Sequence, residues 1–117
     1  MTVIPKPESE LEAGLEFVLK AVGIPYEKQY RIPGLGRRFI YDFAFPEHKL
    51  VVECQGGIWV NQTGHSSGSG ITRDCHKLNM ATLASWKCLQ VTLEMIKDGR
   101  ALLYIERALQ VKELHGR

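Results

Sequence analysis

Three polar side chains interrupt the most apolar stretch of the chain, Phe39–Gln55 (FIYDFAFPEHKLVVECQ). Asp42 stands in the middle of an aromatic and apolar run, Phe39 to Phe45. Glu53 and Gln55 close a second apolar run that begins at Leu50. A carboxylate inside an apolar strand is costly unless something pairs with it. Side chains alternate along a strand, so Glu53 and Gln55 share a face. Asp42 precedes Glu53 by eleven residues. That spacing places the two on adjacent strands of one hairpin, with Pro46-Glu47-His48-Lys49 as the turn. Two carboxylates so placed, with a polar side chain two residues on, suit a divalent metal. Hard cations such as Mg²⁺ take oxygen ligands and keep several waters. The competing reading is a pair of strand-edge carboxylates in water.

Periodicity predicts the elements that position these residues. Leu11, Leu15, Val18, Leu19 and Val22 fall on one helical stripe, which predicts a first helix from Glu8 to Val22, stopped by Gly23. Residues 1–7, with Pro5 and Pro7, read as an irregular arm. A strand over Tyr26–Ile32 and a turn at Pro33-Gly34-Leu35-Gly36 lead into the hairpin. Gly56–Gly70 (GGIWVNQTGHSSGSG) has no period and is rich in Gly and Ser. It reads as a mobile loop, and a loop this long in a small domain is usually functional or disordered. A second helix is predicted from Ile71 to Ser85, burying Ile71, Cys75, Leu78 and Thr82. Trp86–Thr92 reads as a strand and Leu93–Lys97 as a helical turn. A last helix is predicted over Arg100–Leu114, with Leu102, Ile105, Ala108 and Leu109 inward. The order is αβββαβ followed by helix, an α/β fold in which helices cover one sheet. We find no internal repeat or domain boundary, so residues 1–117 read as one domain.

Composition narrows the function classes. A chain of 117 residues, 44% hydrophobic and 24% charged, suits one soluble domain with a modest core. No apolar run approaches the roughly 20 residues of a membrane-spanning helix. MTVIPKPESELE has no hydrophobic leader, so no signal peptide is expected. Cys54, Cys75 and Cys88 are odd in number and widely spaced, which fits neither a disulfide framework nor a zinc site. They are expected to be reduced and partly buried, in a cytoplasmic protein. The formal net charge is +2, so a nucleic-acid footprint has to be local. Arg31, Arg37 and Arg38 form one basic stretch, and His65, Arg73, His76 and Lys77 a second. Any single one of them reads equally well as a solvated surface charge.

The pattern Asp-x(10)-Glu-x-Gln resembles the catalytic signature of the PD-(D/E)XK nuclease superfamily. Tyr41-Asp42 stands in place of the Pro-Asp pair, and Gln55 in place of the usual lysine. The resemblance continues through ELEAGLEFVL, GIPYEKQYRI, RFIYDFAFPEHKLVVECQGGIW and a series GH, D, HKLN, W, L, over roughly residues 9–110. In motif order it is similar to small phage and bacterial nucleases related to the very-short-patch repair endonuclease. The resemblance implies a restriction-endonuclease-like fold with a mixed sheet. It also implies an endodeoxyribonuclease dependent on Mg²⁺, with Mn²⁺ as a substitute, acting on DNA inside a bacterial or phage-infected cell. A homodimer is one arrangement such nucleases use.

On this resemblance Asp42 and Glu53 bind the metal and Gln55 positions water. A neutral amide hydrogen-bonds water without supplying charge, so the missing cation would come from Lys77 or Arg73 on the second helix. The alternative for Lys77 is a surface pair with Asp74 at i,i+3 spacing. Glu12 has two readings, a supporting acid on the first helix or the N3 residue of a capping box begun by Ser9; Glu16 is the fallback. His65 matches a loop histidine that assists the chemistry, or is an exposed loop residue. Trp59 either stacks on bases or packs over the sheet edge. Arg37, Arg38 and Arg73 would hold phosphates. The rivals are a Holliday-junction resolvase-type nuclease, a catalytically inactive DNA-binding module (favoured by Gln55 and the low net charge) and a protein-interaction domain. The last leaves Asp42 and Glu53 without a purpose.

Overall fold

The computed structural model describes residues 10–56 and 68–109. They form α1 (Glu10–Val22), β1 (Glu27–Tyr30), β2 (Tyr41–Phe45), a 3₁₀ turn (Pro46–His48), β3 (Leu50–Cys54), α2 (Gly68–Leu83), β4 (Lys87–Val91), α3 (Leu93–Lys97) and α4 (Arg100–Leu109). The strands lie in the order β1-β2-β3-β4. β1, β2 and β3 pair antiparallel, and β3 and β4 pair parallel. A parallel pair needs a long crossover, and α2 belongs to the one between β3 and β4. This is the predicted α/β order around a mixed sheet.

The sheet buries both faces. Leu11, Leu15 and Leu19 of α1 join Phe43, Phe45, Leu50, Val52, Val91, Ile96, Ala101 and Ile105 in the larger core, under α1, α3 and α4. Across the sheet, Ala81 of α2 packs with Ile32, Phe39, Tyr41, Ala44, Val51 and Trp86. Lys49 takes a left-handed φ of 51° to close the β2–β3 turn, its N–H donating to the Pro46 carbonyl at 3.1 Å. Among the described residues no helix is long and apolar enough to cross a membrane.

Several expected boundaries and stripes change. β1 is shorter than Tyr26–Ile32, and Ile32 instead enters the smaller core from the following loop. Helix α2 starts at Gly68, so Gly68–Gly70 is helical rather than loop; the rest of the expected mobile loop, from Gly57 to Ser67, lies outside the described residues. The predicted α2 stripe is wrong in three of its four members. Ile71, Cys75 and Thr82 are exposed, and the buried position is Ala81, flanked by partly buried Met80 and Ala84. The helix turns a small and polar side to the sheet, and from that side Lys77 reaches the Glu53 carboxylate at 3.0 Å. Val22 is exposed, and on α4 Ala101 is buried where Leu102 was expected.

Side chains change face within β1 and β2. Phe43 belongs to the larger core and Tyr41 to the smaller one, although strict alternation would keep them together. Their partners follow: Lys28 lies by the Phe43 ring and Tyr30 by Trp86. The change falls at Gln29, whose φ is +52°, and at Asp42.

Candidate active site

The β2–β3 ladder pairs Phe45 with Leu50, Ala44 with Val51 and Phe43 with Val52. Beyond Phe43 the carboxylates take over. Asp42 donates its main-chain N–H to Glu53 Oε2 at 3.0 Å, and Cys54 donates its N–H to Asp42 Oδ2 at 2.8 Å. Each acid thus accepts a hydrogen bond from a main-chain N–H of the neighbouring strand. Asp42 is half-buried, and Glu53 is the one buried charged side chain among the described residues.

Lys77 completes the group from α2. Its Nζ donates to Glu53 Oε1 at 3.0 Å and lies 4.9 Å from the centroid of the Tyr41 ring. The Tyr41 hydroxyl donates to the Lys77 carbonyl at 2.7 Å. The expected alternative for Lys77, a surface pair with Asp74, is not formed among the described ion pairs. Burial raises the Glu53 carboxyl above the ordinary carboxylate range, and the Asp42 charge adds to this; Lys77 opposes both. Burial also pushes the Tyr41 hydroxyl up to about 12 and the Cys88 thiol to about 12, and raises the Cys54 thiol.

Gln55 continues the parallel ladder, its N–H donating to the Val91 carbonyl at 2.7 Å. Its side-chain amide donates to Gln90 Oε1 at 3.1 Å, and Gln90 is the register partner of Glu53 on β4. Glu12 is half-buried on α1, and its charge and that of Asp42 both bear on Cys54. It therefore stands at the same end of the sheet, on the opposite face from Lys77. Glu16, the fallback acid, accepts hydrogen bonds from the Tyr26 hydroxyl and from Lys28 at 3.1 Å, and pairs with Lys20 at 3.7 Å. Those contacts fasten α1 to the start of β1. His65, Trp59 and Ser9 lie outside the described residues.

Arg37, Arg38 and Arg73 are exposed. The Arg38 guanidinium lies 5.9 Å from the Phe39 ring centroid, and that ring meets His76 of α2 edge-on at 5.5 Å. The contact brings the first basic stretch beside the helix that carries the second. Cys75 is exposed, against the expectation of partly buried cysteines, while Cys54 and Cys88 are half-buried.

The fold has a structural counterpart. The chain is similar to the catalytic domain of the homing endonuclease I-Bth0305I, with a TM-score of 0.64 over 86% of this chain and 94% of that domain. Sequence identity is 18%, so the likeness is one of fold. No protein-family model and no curated protein matches the chain.

The donor set fits a hard divalent cation. Asp42 and Glu53 each spend an oxygen on a main-chain N–H, which fixes the carboxylates in place. Asp42 Oδ1 accepts no hydrogen bond among the described residues. No group of three or more His, Cys, Asp or Glu suited to a metal gathers among those residues.

Sequence reasoning missed Tyr41 and Gln90. Tyr41 carries a hydroxyl next to Asp42, which is the signal that it needs a buried acceptor. Gln90 shares its strand face with Cys88, a polar residue aimed at the site side of a parallel strand.

Proposed function

We propose that this chain is a metal-dependent endodeoxyribonuclease. The observation that carries the reading is the joining of Asp42, Glu53 and Lys77 at one end of the sheet, two hard carboxylates with an ammonium 3.0 Å from one of them. The similarity of fold to a homing endonuclease catalytic domain supports it.

Asp42 and Glu53 would hold Mg²⁺ or Mn²⁺. Such an ion supplies an activated water and offsets charge developing on the scissile phosphate. Lys77 provides the positive charge that Gln55 lacks, placed to stabilise negative oxygen and to orient the attacking water. Gln55, restrained by Gln90, hydrogen-bonds water without adding charge. Glu12 supports from the α1 side, and His65 is assigned an assisting role from the loop. Arg37, Arg38 and Arg73 hold backbone phosphates, which position DNA without reading its sequence, and Trp59 contacts bases. The inactive-module rival leaned on the absence of a motif lysine, and the place of Lys77 weighs against it.

The test is cleavage of supercoiled and linear DNA with Mg²⁺, with Mn²⁺ and with chelator. Metal-dependent nicking by the wild-type chain, lost in Asp42→Ala and Glu53→Ala, is expected. DNA binding without cleavage under every metal condition would overturn the reading in favour of a binding module.

A further inference from the structure

We propose that Tyr41 is a positioning residue for Lys77, holding its ammonium at Glu53 by gripping the lysine at both its main chain and its charged head. The inference rests on the reading of Lys77 as the cation of the site.

Lysine carries its charge on a flexible four-carbon stem with large rotamer freedom. An ammonium that must meet one carboxylate oxygen needs something to restrict it. The apolar packing of α2 offers little help at this level. Ile71 and Cys75 are exposed, and the buried anchor, Ala81, lies a turn further on. Tyr41 supplies two restraints. It is fully buried, and its hydroxyl donates to the Lys77 carbonyl at 2.7 Å, a contact between residues 36 apart in the chain. A helix carbonyl has a second lone pair to accept this bond while keeping its place in the helix. The Tyr41 ring also faces the Lys77 ammonium, with Nζ 4.9 Å from the centroid, where the ring quadrupole attracts a cation. A buried tyrosine needs some acceptor for its hydroxyl. Packing alone does not require that the acceptor be the residue whose ammonium the same ring attracts.

The place of Tyr41 in the strand makes this possible. Because side chains change face at Asp42, Tyr41 points toward α2 while Phe43 points to the larger core. Asp42, the next residue, donates its N–H to Glu53. One dipeptide thereby orients Glu53 through one residue and the partner of Glu53 through the other.

The experiment pairs a spectroscopic readout with a kinetic cycle. In protein carrying isotopically labelled lysine, the Lys77 ε-methylene signal, assigned by its loss in Lys77→Arg, is expected upfield of the other lysines through the ring current of Tyr41. It should stay upfield in Tyr41→Phe, which keeps the ring, and return to the ordinary lysine position in Tyr41→Leu. In single-turnover cleavage with enzyme in large excess, Tyr41→Phe should slow the reaction roughly ten-fold at unchanged DNA affinity. In the Lys77→Ala background the same change should have less than about a two-fold effect. Equal slowing in both backgrounds would make Tyr41 a fold residue and overturn the proposal, as would an unshifted Lys77 signal in the wild type. If the wild-type chain cut no DNA while Lys77 showed the expected shifts, the nuclease reading would fall and the positioning of Lys77 by Tyr41 would stand.

Discussion

Asp42 gives its main-chain N–H to the Glu53 carboxylate, and its own carboxylate takes the N–H of Cys54, the residue after Glu53. The two acids therefore finish the β2–β3 pairing as well as forming the centre of the candidate site. Alanine at either position should abolish metal-dependent cleavage. It should also cost about 1–3 kcal/mol of stability, since a backbone donor loses its acceptor. Urea unfolding checks the second part. Unchanged stability in both variants would mean that water takes over these bonds.

Lys77→Ala should reduce the single-turnover rate by about two orders of magnitude, the scale seen when one charge-stabilising group is removed from a site. Gln55→Lys should restore part of the loss, because it returns a cation two residues along the strand from Glu53. The check is the rate of the double variant against Lys77→Ala. No recovery would mean that the Gln55–Gln90 hydrogen bond is needed as it stands.

Glu53 makes the stability of the fold depend on pH. Burial, with the neighbouring Asp42 charge, raises its carboxyl in the folded chain. Between its ordinary value and that raised value the folded state holds more protons than the unfolded state. Stability contributed by protonated Glu53 is therefore lost as pH rises through this window. Glu53→Gln should remove that slope, and its stability relative to wild type should improve from acid toward neutral pH. Lys77 acts in the opposite direction, so Lys77→Met should extend the window upward. Chemical unfolding of the three proteins across a pH series measures it, and parallel curves would contradict the assignment.

Binding to duplex DNA should depend steeply on salt and weakly on sequence. A footprint of four or five phosphates gives a slope of log affinity against log salt of roughly −4. Arg38→Ala and Arg73→Ala should each flatten it by about one unit, with similar losses on unrelated sequences. Affinities for a duplex, a mismatch, a flap and a four-way junction over a salt series provide the measurement. A large preference for the junction at every salt would redirect the function toward junction resolution.

The hairpin was legible because Asp42 and Glu53 are conspicuous inside apolar strands, and the succession of helices and strands along the chain followed from alternating and helical periods. The covered face of α2 was not. Periodicity favoured Ile71 and Cys75, but the helix sits over a polar site, so tertiary context reversed its stripe. The change of face at Gln29 and Asp42 was invisible too, because neither is a glycine and a positive φ at Gln29 leaves no mark in composition. Lys77 stood among the candidates only because Gln55 is not a lysine. Its partner, Glu53, could not be found from local spacing, since the pair is 24 residues apart and meets only through the parallel crossover.

That crossover also bears on when the site comes into being during folding. The β2–β3 hairpin closes over a few residues, whereas Lys77 reaches Glu53 only once α2, part of the excursion from β3 to β4, has docked on the sheet. Parallel pairing across a long excursion pays its loop-closure entropy before its contacts form, and tends to come late. A chain that has formed only the hairpin carries two repelling carboxylates and no ammonium. Completion of the constellation would then report completion of the fold, and a partly folded chain would present its acids to DNA without the charge that lets them work.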